Sequence, residues 1–215
     1  MSEQQQSLED LQHIKKMMER SSRFISLSGL SGIAAGICAL IGAMVAYPYV
    51  YGHKDIFVDA VRGNELAKSG HFIVIFYTWM FWIAAVTFAA AVISAFIFTY
   101  VRSKKENIPL WGKAAKRLMI NVAIPLVFGG LFIIKLIQAG DIGLIAPACL
   151  IFYGLALVNA SKYSLNELRY LGYGQLVLAF LNLKFVGYGF YFWALGFGVL
   201  HIIYGAVMWV KYEKE

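Results

Sequence analysis

The sequence contains few charged residues, few prolines and almost no cysteine. Only 14% of its 215 residues are charged and 60% are hydrophobic, whereas a soluble domain carries about 25% charged residues. A surface so poor in charge would aggregate in water, which excludes the ordinary soluble classes. Both cysteines, Cys38 and Cys149, fall in apolar stretches, where a thiol behaves as a small hydrophobic group. They therefore predict no disulfide.

Long apolar runs make up most of the chain. Each is close to the roughly 20 residues that an α-helix needs to cross a hydrocarbon core about 30 Å thick. The runs cover residues 24–50, 72–101, 118–138, 142–160, 169–185 and 187–210. Because a lipid-facing backbone must satisfy its own hydrogen bonds, each run should be helical. The sequence predicts an all-α integral membrane protein, with a bundle of about six transmembrane helices over residues 24–210.

The distribution of Lys and Arg predicts the orientation of this bundle. With the N-terminus inside, 14 of the 19 Lys and Arg fall on cytoplasmic segments, as the positive-inside rule requires. Residues 1–23 repeat apolar side chains on one helical stripe, at Leu8, Leu11, Ile14 and Met18. This pattern predicts an amphipathic helix lying in the inner interface. Residues 211–215 form a cytoplasmic tail, so both termini are expected in the cytoplasm.

Small residues recur in the first and last runs. Ser28, Gly32 and Gly36 follow one another at a spacing of four, and Gly198 and Gly205 mark one face of the last run. Small side chains allow two helix backbones to approach closely, which favours helix association in lipid. The pattern predicts close packing, either between helices of one chain or between copies in a homo-oligomer.

Three polar residues inside the apolar runs are the candidate site. His201 lies about 13 Å and Gln175 about 9 Å from the inner ends of their helices, from the rise per residue. A short turn joins these two helices, so we expect a hydrogen bond between His201 and Gln175. Asn182 interrupts the same run as Gln175. Such residues form either a structural interhelical bond or a site for a ligand, proton or ion.

Metal, haem and enzyme sites find little support in the sequence. His53, His71, Asp55 and Asp59 are weak candidates for an outer metal site, but they lack a fixed ligand spacing and are expected to be solvated loop residues. A bis-histidine haem would need two histidines at one depth. The sequence contains no nucleophile elbow, P-loop or CxxC motif. We therefore expect no cofactor and no enzyme activity, and no nucleic-acid partner, because the positive charge belongs to the inner loops.

Three segments carry a resemblance to a known family. They are residues 20–39 (RSSRFISLSGLSGIAAGICA), 155–169 and 191–204 (YFWALGFGVLHIIY). They resemble a family of six-helix inner-membrane proteins of Bacteroidota-type bacteria that has no assigned function. Its members are often encoded beside a winged-helix regulator, which implies a cytoplasmic regulatory partner. Because the family consists of inner-membrane proteins, the resemblance also implies a location in the bacterial inner membrane. The resemblance implies no role for any single residue.

These observations together predict a non-enzymatic sensor, scaffold or regulatory protein. A small-molecule or lipid pocket is expected among the fifth, sixth and first helices. The alternative is a small transporter or channel in which His201 is the proton or ion group. A second alternative is a haem or quinone redox protein.

Overall fold

The part of the chain that the structure describes is mainly helical and contains no strand. The structure is a computed structural model, and it describes residue 5 and residues 28–52, 79–106 and 111–214. The predicted amphipathic helix of residues 1–23, except residue 5, lies outside these ranges, as do the four candidates His53, Asp55, Asp59 and His71. The helices are α1 (Gly29–Tyr51), α2 (Trp79–Lys105), α3 (Lys113–Ala139), α4 (Ile145–Ala160), α5 (Leu168–Lys184), α6 (Gly189–Trp193) and α7 (Leu200–Tyr212).

A π-helical segment, Ala194–Val199, joins α6 to α7. The stretch Val186–Tyr212 is therefore one continuous helix, here called the last helix. Among the described residues, five helices are long and apolar enough to cross a membrane: α1, α2, α3, α4 with its preceding 3-10 turn, and the last helix. The fifth predicted run, residues 169–185, forms the shorter α5, which has 17 residues and is about 25 Å long.

The helices pack in a chain of neighbours. The last helix packs against α1, α4 and α5, and α4 also packs extensively against α5. On the flanks, α2 packs mainly against α1 and α3 mainly against α4. Because α2 and α3 have their main contacts on different helices, a cleft is left between them.

The small residues of α1 face those of the last helix. An added Cβ on Gly32 would lie 3.1 Å from Gly205 Cα, and one on Gly36 would lie 2.6 Å from Gly198 O. A Cβ on Gly205 would lie 2.5 Å from Ile33 N. The two backbones are therefore too close for larger side chains, and the predicted glycine rows meet within one chain.

Glu213 ties together three helix ends. Its carboxylate accepts hydrogen bonds from the Ser28 hydroxyl, at 3.1 Å, and from the Gly29 backbone N–H. It also pairs with the buried Arg102 guanidinium at 3.0 Å. An anion at a helix N-terminus stabilises the unpaired N–H groups there. This terminal clasp (Ser28, Gly29, Arg102 and Glu213) places the start of α1 and the ends of α2 and the last helix at one end of the bundle.

A second polar contact joins α5 to the last helix at the same end. Glu167, the residue before α5, accepts hydrogen bonds from the Lys211 ammonium and from Tyr212 Oη, the latter at 2.7 Å. Partial burial of Glu167 opposes ionisation, but the hydrogen bonds from Lys211 and Tyr212 outweigh it and hold the pKa of Glu167 below its usual value. The last helix begins with the 3-10 turn Val186–Tyr188, directly after the end of α5. These two helices therefore form an antiparallel hairpin.

Candidate functional site

The π-helical segment of the last helix exposes one backbone carbonyl to side chains. Ala194–Val199 forms a wider turn than an α-helix does, and such turns often lie at functional sites. Gly196 lies within it and is buried against α5. A Cβ added at Gly196 would lie 2.5 Å from Gln175 Oε1. A larger residue here would therefore displace the Gln175 amide from its place beside the turn.

His201 and Gln175 converge on this carbonyl rather than on each other. His201 Nδ1 lies 2.9 Å from Gly196 O, and Gln175 Nε2 donates to the same oxygen at 2.8 Å. The expected direct bond between His201 and Gln175 is replaced by this shared acceptor. The depths read from the sequence bring the two side chains to the same place, but a straight α-helix offers them no free carbonyl.

The hydrogen bonds of His201 determine its tautomer. A carbonyl oxygen can only accept, so Nδ1 must carry the proton. The Tyr153 hydroxyl lies 2.7 Å from Nε2. In the neutral imidazole, Nε2 is an acceptor, and Tyr153 is then the donor. The site therefore contains a directional path, from Tyr153 O–H through the His201 ring to Gly196 O.

Sequence reasoning missed Tyr153. It lies near the middle of α4, seven residues before the end of that helix at Ala160. Tyrosines of membrane helices are enriched at the two interfaces, and a buried tyrosine usually has a hydrogen-bond partner. A tyrosine at mid-helix depth was thus the signal that a polar partner lies on a neighbouring helix.

Aromatic rings enclose the pair of Tyr153 and His201. Trp193, Phe197 and His201 recur every four residues, and the ring centroids of Trp193 and Phe197 are 5.1 Å apart. Phe197 lies 5.0 Å from Tyr153 and 6.1 Å from His201 by the same measure. Apart from its two hydrogen-bond partners, the imidazole is therefore enclosed largely by aromatic rings.

Asn182 lies apart from this pair. Its Nδ2 donates to Phe185 O at 3.1 Å at the end of α5, two helical turns or about 10 Å from Gln175. Both amides are fully buried, and Gln175 Oε1 and Asn182 Oδ1 have no hydrogen-bond partner among the described residues. Asn182 therefore terminates α5, and the structure does not bring it to His201.

A cavity of about 360 Å³ lies beside His201, within the range of small-molecule pockets. It occupies the cleft between α2 and α3, and α1, α4, α5 and the last helix also contribute to its walls. This His201 cavity is lined mainly by apolar and small residues, with Tyr153 and His201 on one side: Gly32, Ala35, Ala95, Phe96, Ala115, Leu118, Met119, Val122, Leu157, Leu171 and Tyr204 are among them.

A larger cavity of about 940 Å³ lies at the other end of the bundle, away from the terminal clasp. The end of α1, the start of α2, the turn before α4 and the start of the last helix surround it. It is named here the Asp141 cavity after the acidic residue in its wall. Trp193 lines it as well, and the Trp193 ring contacts Phe197, which in turn contacts Tyr153 in the wall of the His201 cavity.

Metal and haem sites gain no support from the described residues. Within those ranges, no group of three or more His, Cys, Asp or Glu could hold a metal ion. His201 is the one histidine that the structure describes, and both of its ring nitrogens already have partners, Gly196 O and the Tyr153 hydroxyl. Its geometry therefore does not suit an axial haem ligand.

Comparison with other proteins identifies no relative. No family model, no curated protein and no solved structure matches the chain. Its function is therefore inferred from the geometry of the two cavities and the residues around them.

Proposed function

We propose that this protein is a non-enzymatic, multi-pass membrane protein that binds a small apolar molecule or a lipid tail in the His201 cavity. The observation that carries the proposal is the position of this cavity. It lies in the cleft between α2 and α3, and most of its wall is apolar. A molecule dissolved in the bilayer can enter such a cleft sideways, without crossing a polar surface.

A role as sensor, scaffold or regulatory partner follows from where the cavity lies in the bundle. Six helical stretches contribute to its wall, so an occupant would contact α2 and α3 together and change how far apart they stand. A ligand shifts a conformational equilibrium only when it binds the two states with different affinity. An occupant that bridges the cleft meets this condition, and a cytoplasmic regulatory protein would respond to the resulting movement.

The helix ends support six membrane crossings with both termini in the cytoplasm of a bacterial inner membrane. The terminal clasp and the Glu167–Lys211 pair lie at one end of the bundle. Between them they include the start of α1, the end of α2, the start of α5 and the end of the last helix. Arg102, Lys104 and Lys105 also lie at this end, as expected for the cytoplasmic side.

A homo-oligomer would use surfaces other than the glycine rows. The crossing of α1 and the last helix already buries the faces that carry Gly32, Gly36, Gly198 and Gly205. The exposed apolar face of α2, which includes Phe88, Val92 and Phe96, is available for lipid or for a second copy.

The alternative function is a small transporter or channel. The observation that favours it is the presence of two cavities along the same helices, with the contacting rings of Trp193, Phe197 and Tyr153 between them. Apolar constrictions of this kind act as gates in pores. In that case His201 would be the polar group beside the constriction.

Replacing two alanines of α2 by phenylalanine, one at a time, tests the ligand-binding proposal. Ala95 lines the His201 cavity, whereas Ala90 is exposed on the same helix. Ala95→Phe should fill the cavity and displace its occupant, and Ala90→Phe should not. Native mass spectrometry of the detergent-purified proteins measures the mass and occupancy of a co-purified molecule. The proposal is wrong if wild type carries none, or if both variants retain it equally.

A further inference from the structure

The Asp141 cavity has a wall of aromatic rings that come from three helices. Tyr51 belongs to the end of α1, Phe81 to the start of α2, and Phe190 and Trp193 to the start of the last helix. Tyr51 and Phe190 meet edge to face, with ring centroids 5.9 Å apart. The face of an aromatic ring carries partial negative charge and attracts cations. Rings gathered from separate helices around one space form the type of wall that holds an organic cation.

The described residues of this wall carry charge of one sign. Asp141 is the one charged residue among the described residues that line the cavity. Within the described ranges, its carboxylate has no hydrogen bond or ion pair. The anion therefore adds to the attraction that the rings exert on a cation, and no described Lys or Arg in the wall opposes it.

We propose that the Asp141 cavity binds an organic cation, specifically a quaternary ammonium group with apolar substituents. Such a group cannot donate hydrogen bonds, and it is recognised by aromatic faces and a nearby carboxylate. A metal ion would need several oxygen or nitrogen ligands, and the cavity wall supplies one carboxylate. A primary ammonium would need several acceptors for its three N–H groups. The quaternary group is the cation class whose needs this wall meets.

The size of the cavity defines the ligand further. Its volume of about 940 Å³ is near the upper end for ligand pockets, so it admits bulky substituents on nitrogen. One side of the wall is rich in glycine, and a Cβ at Gly187 would meet no other atom within 4 Å. Two sources provide this chemistry, a soluble quaternary ammonium compound and the choline headgroup of a lipid.

Isothermal titration calorimetry on the full chain in the uncharged detergent dodecyl maltoside tests the site. The probe is benzyltrimethylammonium, and the matched control ligand is neopentylbenzene, which has the same shape without the charge. We expect binding of the cation and no saturable binding of the neutral compound. Asp141→Asn and Phe190→Leu should each weaken binding and raise the dissociation constant about threefold to tenfold. Glu106→Gln, an exposed carboxylate at the opposite end of the bundle, should leave it unchanged.

Each outcome has a defined meaning. Equal binding of both ligands, absence of cation binding, or an unchanged dissociation constant in both site variants would overturn the proposal. If Phe190→Leu does not fold, Asp141→Asn still decides, because Asp141 is exposed and unpaired in the described structure. Once binding is seen, the titration is repeated in phosphatidylglycerol nanodiscs with and without phosphatidylcholine. Competition by phosphatidylcholine identifies the lipid headgroup as the natural source, and its absence identifies a soluble cation.

Discussion

Gly196 O accepts hydrogen bonds from two side chains on different helices, and this arrangement depends on a turn that residue types do not reveal. The sequence predicted a hydrogen bond between His201 and Gln175, whereas in the structure both side chains share the acceptor Gly196 O. The π-helical turn was missed, because an apolar run such as ALGFGV reads equally well as an α-helix. Tyr153 was missed as well, since its partner belongs to a helix 48 residues away in the sequence.

Tyr153→Phe tests the hydrogen bond to His201. The substitution removes the hydroxyl that lies 2.7 Å from Nε2 and keeps the ring that packs on Phe197. Because the change leaves the His201 Nε2 acceptor without its partner, we expect the free energy of unfolding to fall by about 0.5–1.5 kcal/mol. Thermal unfolding in a single detergent measures the loss. Tyr170→Phe, the same change at a residue exposed on α5, is the control, and equal effects of the two substitutions would contradict the assigned bond.

At the scale of the elements, the crossing of α1 and the last helix holds the bundle together at its closest point. The sequence predicted close packing from the spacing of small residues, and it left open whether the partner was another helix or another chain. Spacing alone does not distinguish the two cases, because both need the same small side chains. The backbone contacts of Gly32, Gly36 and Gly205 place this crossing within one chain.

Gly205→Ala tests this crossing with the smallest possible change. The new methyl group would lie 2.5 Å from Ile33 N and 2.6 Å from Gly29 O, and neither backbone atom can move alone. Overpacking of this kind costs about 1–3 kcal/mol. Gly130→Ala on α3 is the matched control, because a Cβ there meets nothing within 4 Å and an alanine favours a helix over glycine. Thermal unfolding should show a lower midpoint for Gly205→Ala alone, and equal midpoints would refute the close approach.

At the scale of the whole molecule, the number of membrane crossings depends on α5. The other predicted runs correspond to five helices of ample length and hydropathy, whereas α5 has 17 residues with Lys184 at its end. Composition therefore leaves this element near the limit for a crossing. Its pairing with the last helix, through Glu167 at one end and a tight turn at the other, is tertiary information that a hydropathy pattern does not contain.

Cysteine labelling on either side of α5 tests the six-crossing topology. Lys162 precedes α5 and Gly187 follows it, and both are exposed. In a background with Cys38 and Cys149 replaced by alanine, Lys162→Cys should react with a membrane-impermeant maleimide from the cytoplasmic side. Gly187→Cys should react from the opposite side. Reaction of both from one side would show that α5 does not cross and that the bundle has five crossings.

The terminal clasp also has a consequence for biosynthesis. Glu213 supplies the acceptor for the first N–H of α1 and lies 184 residues after it in the sequence. The ribosome therefore makes α1 long before the residue that caps it. Until then, the Gly29 N–H at the start of α1 lacks this carboxylate acceptor and must be satisfied by water or lipid headgroups at the membrane surface. The early helices are therefore inserted in an unfinished arrangement, and the bundle closes after the last helix has left the ribosome.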